Sequence, residues 1–181
     1  MFFYFMPNLL IKVFSTPKKV IKISDLSSEK DFLVVGRELE KKVKKLFKGS
    51  LAIREVDAGS DNAVEQELTA LSNAYYDSER FGIHFVASPR HADMLIVAGA
   101  VSRNMRQAVV RSFEATPEPK IVVAVGDEAI DGGIFKDSYA VEGGVNNVIP
   151  VNYGIPGNPP SPLTILKSLL YILNDLEKRQ K

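Results

Sequence analysis

The chain has 181 residues, of which 45% are hydrophobic and 25% are charged, as in an ordinary soluble domain that can bury a core. Lys and Arg number 23 and Asp and Glu 22, so the formal net charge of +1 provides no global attraction to nucleic acid. The chain has 0 cysteines and only 2 histidines, His84 and His91. This composition excludes disulfide frameworks, thiolate zinc sites, thiol nucleophiles, histidine-rich metal sites and iron–sulfur clusters held by four thiolates.

The first 50 residues differ in charge from the rest of the chain. They hold 11 Lys or Arg against 5 Asp or Glu, so a basic segment precedes a mildly acidic body. The segment opens with the apolar run MFFYFM at residues 1–6, which Pro7 and Lys12 interrupt well before the roughly 20 apolar residues of a membrane-spanning helix. This opening is predicted to be a strand or a flexible end that packs on a neighbour, with an apolar anchor on a partner or a membrane edge as the alternative.

A basic amphipathic helix is predicted over residues 27–48. Apolar residues recur there at steps of three and four, Ser27 or Ser28 offers an N-cap, and Gly49 offers a C-terminal cap. The opposite face carries five lysines, at Lys41, Lys42, Lys44, Lys45 and Lys48. Two interpretations remain open: a solvated face on an ordinary packed helix, or peripheral contact of residues 1–48 with an anionic membrane surface.

From residue 50 onward the pattern alternates between strands and helices. Strands are predicted at 51–56, 81–87, 94–98 and 121–125, with a short one at 147–151, and helices at 62–76, 103–115 and 163–178. The third and fourth strands are wholly apolar, as parallel strands buried on both faces must be. The sequence therefore predicts a three-layer α/β fold with a flavodoxin-like, mainly parallel sheet and helices on both faces. We divide the chain into a basic N-terminal extension, 1–49, and an α/β domain, 50–181.

The loops after the strands form the candidate site, because ligands of an open parallel sheet bind beyond the carboxyl ends of its strands. Each of these loops, and the loop before the last helix, contains glycine. None carries a GxGxxG or GxxxxGK[ST] phosphate motif, and no nucleophile elbow is present.

Carboxylates gather in the same loops, at Asp57, Asp61, Glu65, Asp127, Glu128 and Asp131. Their commonest role is that of helix caps and dipole partners, and a hard-cation site or an acid–base pair is the alternative. His91 is a candidate base or anion contact.

A series of short motifs in collinear order resembles one family. They are SLAIREVDAGS at 50–60, YD at 76–77, ERFGI at 79–83, SPRHAD at 88–93, GGIF at 132–135, SYAV at 138–141, GGV at 143–145, VIPV at 148–151, IPG at 155–157 and PP at 159–160. They are similar to motifs of the 20 kDa subunit of respiratory complex I and of the small subunit of membrane-bound group 4 nickel-iron hydrogenases. The similarity runs from about Ser50 to the final helix.

The resemblance implies a site for one 4Fe-4S cluster beside a large catalytic subunit, but its cysteines are replaced. The family pattern similar to Gly-Ser-Cys-Asn-x-Cys places cysteines where this chain has Asp61 and Val64. The pattern similar to Gly-x-Cys-Ala-Ile-x-Gly-Gly places the third at Glu128, and the Pro-Gly-Cys-Pro-Pro pattern places the fourth at Asn158. Since none of these is a thiolate donor, we expect a degenerate member with no 4Fe-4S cluster, no other cofactor and no catalytic residue.

The implied function is that of a non-redox, cluster-less small subunit with a structural role against the large subunit, in a complex I-like or membrane-bound hydrogenase-related oxidoreductase assembly. Such a subunit is not expected to be catalytic alone. Its expected partners are a large catalytic subunit homologue and membrane subunits, without nucleic acid. Its expected location is cytoplasmic, peripheral on the inner face of the cell membrane.

The resemblance also implies an interface. Arg90 and His91, in the SPRH stretch, are expected to contact the large subunit. Two alternatives remain open for the function. One is an oxidoreductase subunit that contributes to quinone or partner binding while other chains carry the electrons. The other is a repurposed binding protein with an oxygen-ligand metal site formed by Asp61, Glu65 and Glu128.

Overall fold

The structure is a computed structural model that describes residues 6–28 and 30–179. Its strands are β1 (Lys19–Val20), β2 (Leu51–Asp57), β3 (Ile83–Phe85), β4 (Met94–Ala98), β5 (Ile121–Val125) and β6 (Tyr153–Ile155). Its α-helices are α1 (Met6–Ser15), α2 (Phe32–Phe47), α3 (Ala63–Ala70), α4 (Arg106–Ala115), α5 (Asp127–Asp131) and α6 (Pro162–Arg179).

All strand pairs of the sheet are parallel, and the strand order is β1-β6-β5-β4-β2-β3. Without the edge strand β1, this is the doubly wound order of flavodoxin-like folds. The direction of winding reverses between β2 and β4, so the carboxyl ends of these two strands open a crevice. The predicted fold class is confirmed.

Two hydrophobic cores cover the two faces of the sheet. One contains Leu39 of α2 and Leu169 of α6, together with side chains of α3. The other contains Phe113 of α4, together with side chains of α5. β4 supplies Ile96 to the first core and Leu95 to the second. This double burial explains why β4 is apolar at every position.

The basic helix α2 begins later than predicted. The Asp31 side chain caps it by accepting a hydrogen bond from the Leu33 N–H at 2.9 Å, so the predicted cap at Ser27 or Ser28 is wrong. At the other end, Lys48 takes the left-handed conformation with φ 55° directly before Gly49. The helix packs against α6, and both Lys42 and Lys45 form ion pairs with Glu177 there.

Side-chain hydrogen bonds explain two elements that are shorter than predicted. The helix predicted over 62–76 ends at Ala70, and Asn73 beyond it accepts the N–H groups of Tyr75 and Tyr76 at 2.8 and 2.9 Å, which favours a turn. The helix predicted from residue 103 begins at Arg106 instead. Ser102 accepts the Met105 N–H there at 3.3 Å.

The strand predictions near both edges of the sheet need correction. The strand predicted over 81–87 is confined to the three residues of β3. The strand predicted at 147–151 is wrong, because Val145–Asn147 forms a 3-10 turn and the last strand is β6. Asn152 joins the chain to β5 directly before β6 begins. Its side chain accepts the Val122 N–H at 2.8 Å, and its own N–H donates to the Val122 carbonyl at 2.9 Å.

The N-terminal segment contributes the unpredicted edge strand β1, in which Lys19 pairs with Tyr153 and Val20 with Gly154. The strand or flexible end predicted for residues 1–6 lies outside the described residues except for Met6, where α1 begins. Among the described helices, none combines the length and apolar character needed to cross a lipid bilayer. The division into a 1–49 extension and a 50–181 domain stays a prediction.

Candidate functional site

The loops at the carboxyl ends of β2, β4, β5 and β6 converge on one edge of the sheet, which we call the crevice edge. The Ser102 N–H donates to the Ala58 carbonyl at 2.8 Å, joining the loops after β2 and β4. The Asp127 N–H donates to the Gly157 carbonyl at 2.9 Å, and the Asp127 carboxylate accepts the Gly157 N–H at 2.9 Å. The loops predicted to form the site are therefore held together there by hydrogen bonds.

Two glycines let these loops approach closely. Gly99 has φ 79°, and a Cβ at this position would lie 2.5 Å from the backbone of Ser60. Gly126 has φ 91°, and a Cβ there would lie 2.8 Å from a methyl group of Val64. Any other residue at either position would combine backbone strain with a steric clash.

The four positions that carry cysteine in the resembling family have different environments here. Asp61 is exposed, and its carboxylate accepts the Ala63 N–H at 2.9 Å at the start of α3. Val64 is 7% exposed and belongs to the core beneath α3. Glu128 is also 7% exposed, in α5, whereas Asn158 is exposed in the loop after β6. Val64 of α3 lies against Gly126, directly before α5, so the structure brings the starts of these two helices together.

Glu128 is a largely buried residue near two other acidic side chains. A Cβ at Gly133 would lie 2.9 Å from its Cγ, so the turn after α5 packs directly on the side chain. Within the described residues, its carboxylate has no hydrogen bond or ion pair. Burial raises the pKa of Glu128, and the negative charges of Asp61 and Glu65 raise it further.

These four side chains do not match the ligands of a 4Fe-4S cluster. Such clusters are held by thiolates, which are soft and charged donors. Val64 has no donor atom, the Asp61 carboxylate is hydrogen-bonded to the α3 backbone, and the amide of Asn158 is neutral. Among residues 6–28 and 30–179, no group of three or more His, Cys, Asp or Glu is arranged to hold a metal ion. The oxygen-ligand metal site considered from the sequence therefore has no geometric support.

Arg90 and His91 lie at the opposite edge of the sheet. They belong to a 3-10 turn, Pro89–His91, that precedes β4. They line a cavity of about 660 Å³ together with Phe47 and Glu118, which come shortly before β2 and β5. The structure therefore does not bring these two residues together with the crevice edge.

An exposed apolar loop borders the crevice edge, and no pattern in the sequence singles it out as a surface. It follows α5 and contains Ile134, Phe135 and Tyr139, which are 81%, 40% and 84% exposed. Gly132 and Gly133, both with positive φ, turn the chain out of α5 into this loop. Its motifs GGIF and SYAV support the resemblance, but a motif does not show which side chains lack a packing neighbour.

The fold and the crevice edge define a flavodoxin-like α/β domain of the kind seen in hydrogenases. The crystal structure of an NAD+-reducing NiFe hydrogenase has the same fold, with a TM-score of 0.54 at 16% identity over 70% of this chain and 92% of that one. The family described as NADH ubiquinone oxidoreductase, 20 Kd subunit, matches residues 62–172, and the chain belongs to this family. The resemblance predicted from the motifs is confirmed, for a member that has none of the four cysteines.

Relatives with higher identity come from bacteria and archaea. Formate hydrogenlyase subunit 7 of Escherichia coli (strain K12) is 42% identical over 135 residues, which are 75% of this chain and 53% of that protein. The chain thus spans about half the length of this relative. A probable membrane-bound hydrogenase subunit of Pyrococcus furiosus is 38% identical over 80% of this chain and 89% of its own length. A chain of the membrane-bound sulfane sulfur reductase, an archaeal respiratory membrane complex, is 31% identical with a TM-score of 0.64, over 77% of this chain and 75% of that one.

Proposed function

We propose that this chain is a small subunit of a membrane-bound, hydrogenase-related or complex I-like assembly, which binds a large catalytic subunit homologue without carrying an iron–sulfur cluster. One observation carries the proposal: the loops of the crevice edge are kept, while all four cysteine positions hold residues that are not thiolate donors. Relatives named as a formate hydrogenlyase subunit and a membrane-bound hydrogenase subunit support the kind of assembly.

The replaced residues support the absence of a cluster because two of them have other tasks. Asp61 accepts a backbone N–H at the start of α3, and Val64 fills the core beneath that helix. A cluster would need four thiolates at these positions, and the chain contains no cysteine at all. The proposed role is therefore structural, and the electrons of the assembly pass through other chains.

The apolar loop supports docking of a partner at the crevice edge. Ile134 and Tyr139 are among the most exposed large apolar side chains of the described residues, and they lie next to the turn that packs on Glu128. Adjacent exposed apolar side chains are typical of protein interfaces. We assign this surface to the large subunit homologue. Arg90 and His91, at the other edge, are proposed as a second contact.

A peripheral position on the cytoplasmic face of the membrane is part of the proposal. α1 supports it, because Ile11 and Phe14 are 64% and 86% exposed on this helix and Lys12 lies between them. α2 supports it less, since two of its lysines face Glu177 of α6. The apolar side chains of α1 are therefore the proposed contact with lipid or with a membrane subunit.

The cluster claim is tested by iron and acid-labile sulfide analysis of anaerobically purified protein. We expect neither iron nor sulfide in stoichiometric amount and no 4Fe-4S absorbance. The matched control restores all four ligands in one chain, with the substitutions Asp61→Cys, Val64→Cys, Glu128→Cys and Asn158→Cys. Iron incorporation by this variant under the same expression conditions shows that the cells supplied clusters. Stoichiometric iron with a 4Fe-4S spectrum in the natural chain would contradict the proposal.

The docking claim is tested by co-purification with the large subunit homologue from the same genome. Ile134→Asp is expected to weaken recovery of the complex at least about tenfold, because it places a charge in an apolar contact. Ile23→Asp is the matched control, since Ile23 is 68% exposed but lies in the segment before α2. Equal recovery of both variants would show that the apolar loop is not the interface. Arg90→Ala tests the second contact in the same assay.

A further inference from the structure

The N-terminal segment forms a strap along the edge of the sheet, which we define as residues 16–21. The strap follows α1 directly and contains β1. The Lys19 N–H donates to the Asn152 carbonyl at 3.1 Å. The Ile21 N–H donates to the Gly154 carbonyl at 2.8 Å. Since the side chains of an extended strand alternate between two faces, the strap presents residues to both faces of the sheet.

One face of the strap is fixed by the core that contains α2 and α6. Ile21 is buried in that core. The Lys19 ammonium forms an ion pair with Asp175 of α6 at 3.0 Å, and Asp175 also accepts the Tyr153 hydroxyl at 2.8 Å. These contacts do not involve α5, so they hold the strap in place independently of that helix.

The other face of the strap lies against α5. Ile130 of this helix and Val20 of the strap both pack over Gly154, where a Cβ would lie 3.2 Å from Ile130 and 3.4 Å from Val20. The Lys18 ammonium donates a hydrogen bond to the Ile130 carbonyl. A cationic donor is favoured at the carbonyl end of a helix. Because α5 has only five residues and such a short helix is not stable alone, its shape depends on contacts of this kind.

Lys18 also closes the base of the apolar loop. Its ammonium donates to the side-chain oxygen of Asn146 at 3.2 Å. Ile130 lies just before the apolar loop and Asn146 lies just after it, so one side chain contacts both ends. These ends approach closely, since a Cβ at Gly144 would lie 2.4 Å from the Ile130 carbonyl oxygen. A surface loop whose ends meet in this way has the form of an Ω-loop.

We propose that Lys18 is a positioning residue for the apolar loop: the strap closes the base of the loop through the Lys18 ammonium, and so holds Ile134 and Tyr139 in the arrangement that the large subunit homologue binds. This inference rests on the proposed function, which assigns the apolar loop to that partner. An ammonium suits the task because it has three donors, enough for both acceptors, and because hydrogen bonds from a charged donor are stronger than neutral ones. The N-terminal segment and the docking surface are therefore parts of one connected structure.

Amide hydrogen exchange of the purified chain tests the proposal without a partner. Lys18→Met keeps an unbranched side chain but removes the charged donor. The N–H groups of Phe135 and Ser138, which donate to carbonyls within the apolar loop, are then expected to exchange at least about tenfold faster. The midpoint of urea unfolding should stay the same, because the strap is still held by its other face. Exchange at the natural rate in Lys18→Met would overturn the proposal.

Three further variants separate the Lys18 contact from a general loss of structure. Lys22→Met, the matched control, changes an exposed lysine directly after the strap and should leave the exchange unchanged. Lys18→Arg should restore slow exchange, since a guanidinium also donates to both acceptors. Asn146→Ala removes one acceptor and leaves the strap intact, so it should speed the exchange of the same amides. This last variant decides the question if Lys18→Met does not fold, and unchanged exchange in it would then overturn the proposal.

Co-purification with the large subunit homologue tests the role in docking. Lys18→Met is expected to lower recovery of the complex at least about threefold, because a loop that is not ordered in advance must be ordered on binding. Lys18→Arg and Lys22→Met should retain recovery. If Ile134→Asp weakens recovery but Lys18→Met does not, the positioning role is overturned. If Ile134→Asp binds normally, the docking claim itself has failed, and the exchange rates alone decide whether Lys18 holds the loop.

Discussion

Replacing Leu39 by Ala is expected to destabilise the whole sheet domain and not only the N-terminal segment. Leu39 lies in α2, is 0% exposed, and belongs to the same core as Leu169 of α6. Deleting a buried leucine side chain costs about 2–5 kcal/mol, from lost burial and from the cavity that remains. A loss of about 3 kcal/mol is a large part of the roughly 5–15 kcal/mol that keeps a domain folded. It lowers the melting temperature by about 6–12 °C in a chain of this length.

Urea unfolding followed by far-UV circular dichroism measures this effect on the secondary structure, and tyrosine fluorescence measures it within residues 50–181, where five of the six tyrosines lie. The matched control is Leu33→Ala in the same helix, where the side chain is 36% exposed and the expected loss is below about 1 kcal/mol. If residues 1–49 are an extension with its own stability, Leu39→Ala leaves the fluorescence transition unchanged. A shift below about 0.5 kcal/mol in both signals would refute the packing argument.

Two further predictions concern α2. The ion pairs with Lys42 and Lys45 lower the pKa of Glu177 to about 2, so their stabilisation is complete above the unfolded carboxyl pKa of about 4.3 and is lost as the pH falls toward 2. Glu177→Gln should therefore show a smaller loss of unfolding free energy on acidification, and an equal loss in both chains would contradict this. A Cβ at Gly36 would lie 2.2 Å from the ring of Phe81, so Gly36→Ala should destabilise by about 1–3 kcal/mol despite a gain of about 1 kcal/mol in helix propensity. Adding Phe81→Leu should recover part of that loss, and a net gain for Gly36→Ala alone would show that the ring moves freely.

The parts of the fold that could be predicted from sequence are those whose burial alone determines residue type. β4 and β5 match their predicted ranges residue for residue, because both faces of each strand are covered and nearly every position is buried. β1 has two residues and α5 has five, which is too short for either periodicity to appear. The turn that ends α3 depends on one side chain, Asn73, whose hydrogen bonds no apolar pattern reveals.

The site was predictable to a similar extent. Glycine-containing loops after apolar strands located the crevice edge, and the order of the motifs located Asp61, Val64, Glu128 and Asn158. Arg90 lies at the opposite edge because the chain crosses back to the start of β4 before it reaches this residue. The motif does not encode that crossing. The burial of Glu128 was also hidden, since it arises only when the turn after α5 packs on its side chain.

The contacts that hold the crevice edge together do not depend on the four side chains at the cysteine positions binding one another. Backbone groups join the loops, through Ser102 with Ala58 and Asp127 with Gly157, and glycines provide the close approach. Small metal-dependent domains unfold without their ion because the ligands are their main long-range contacts, whereas this chain has two hydrophobic cores and a six-stranded sheet. A member of the family can therefore exchange all four ligands and keep the loops. Under the proposed function, the surface that these loops present to a partner is what the chain retains.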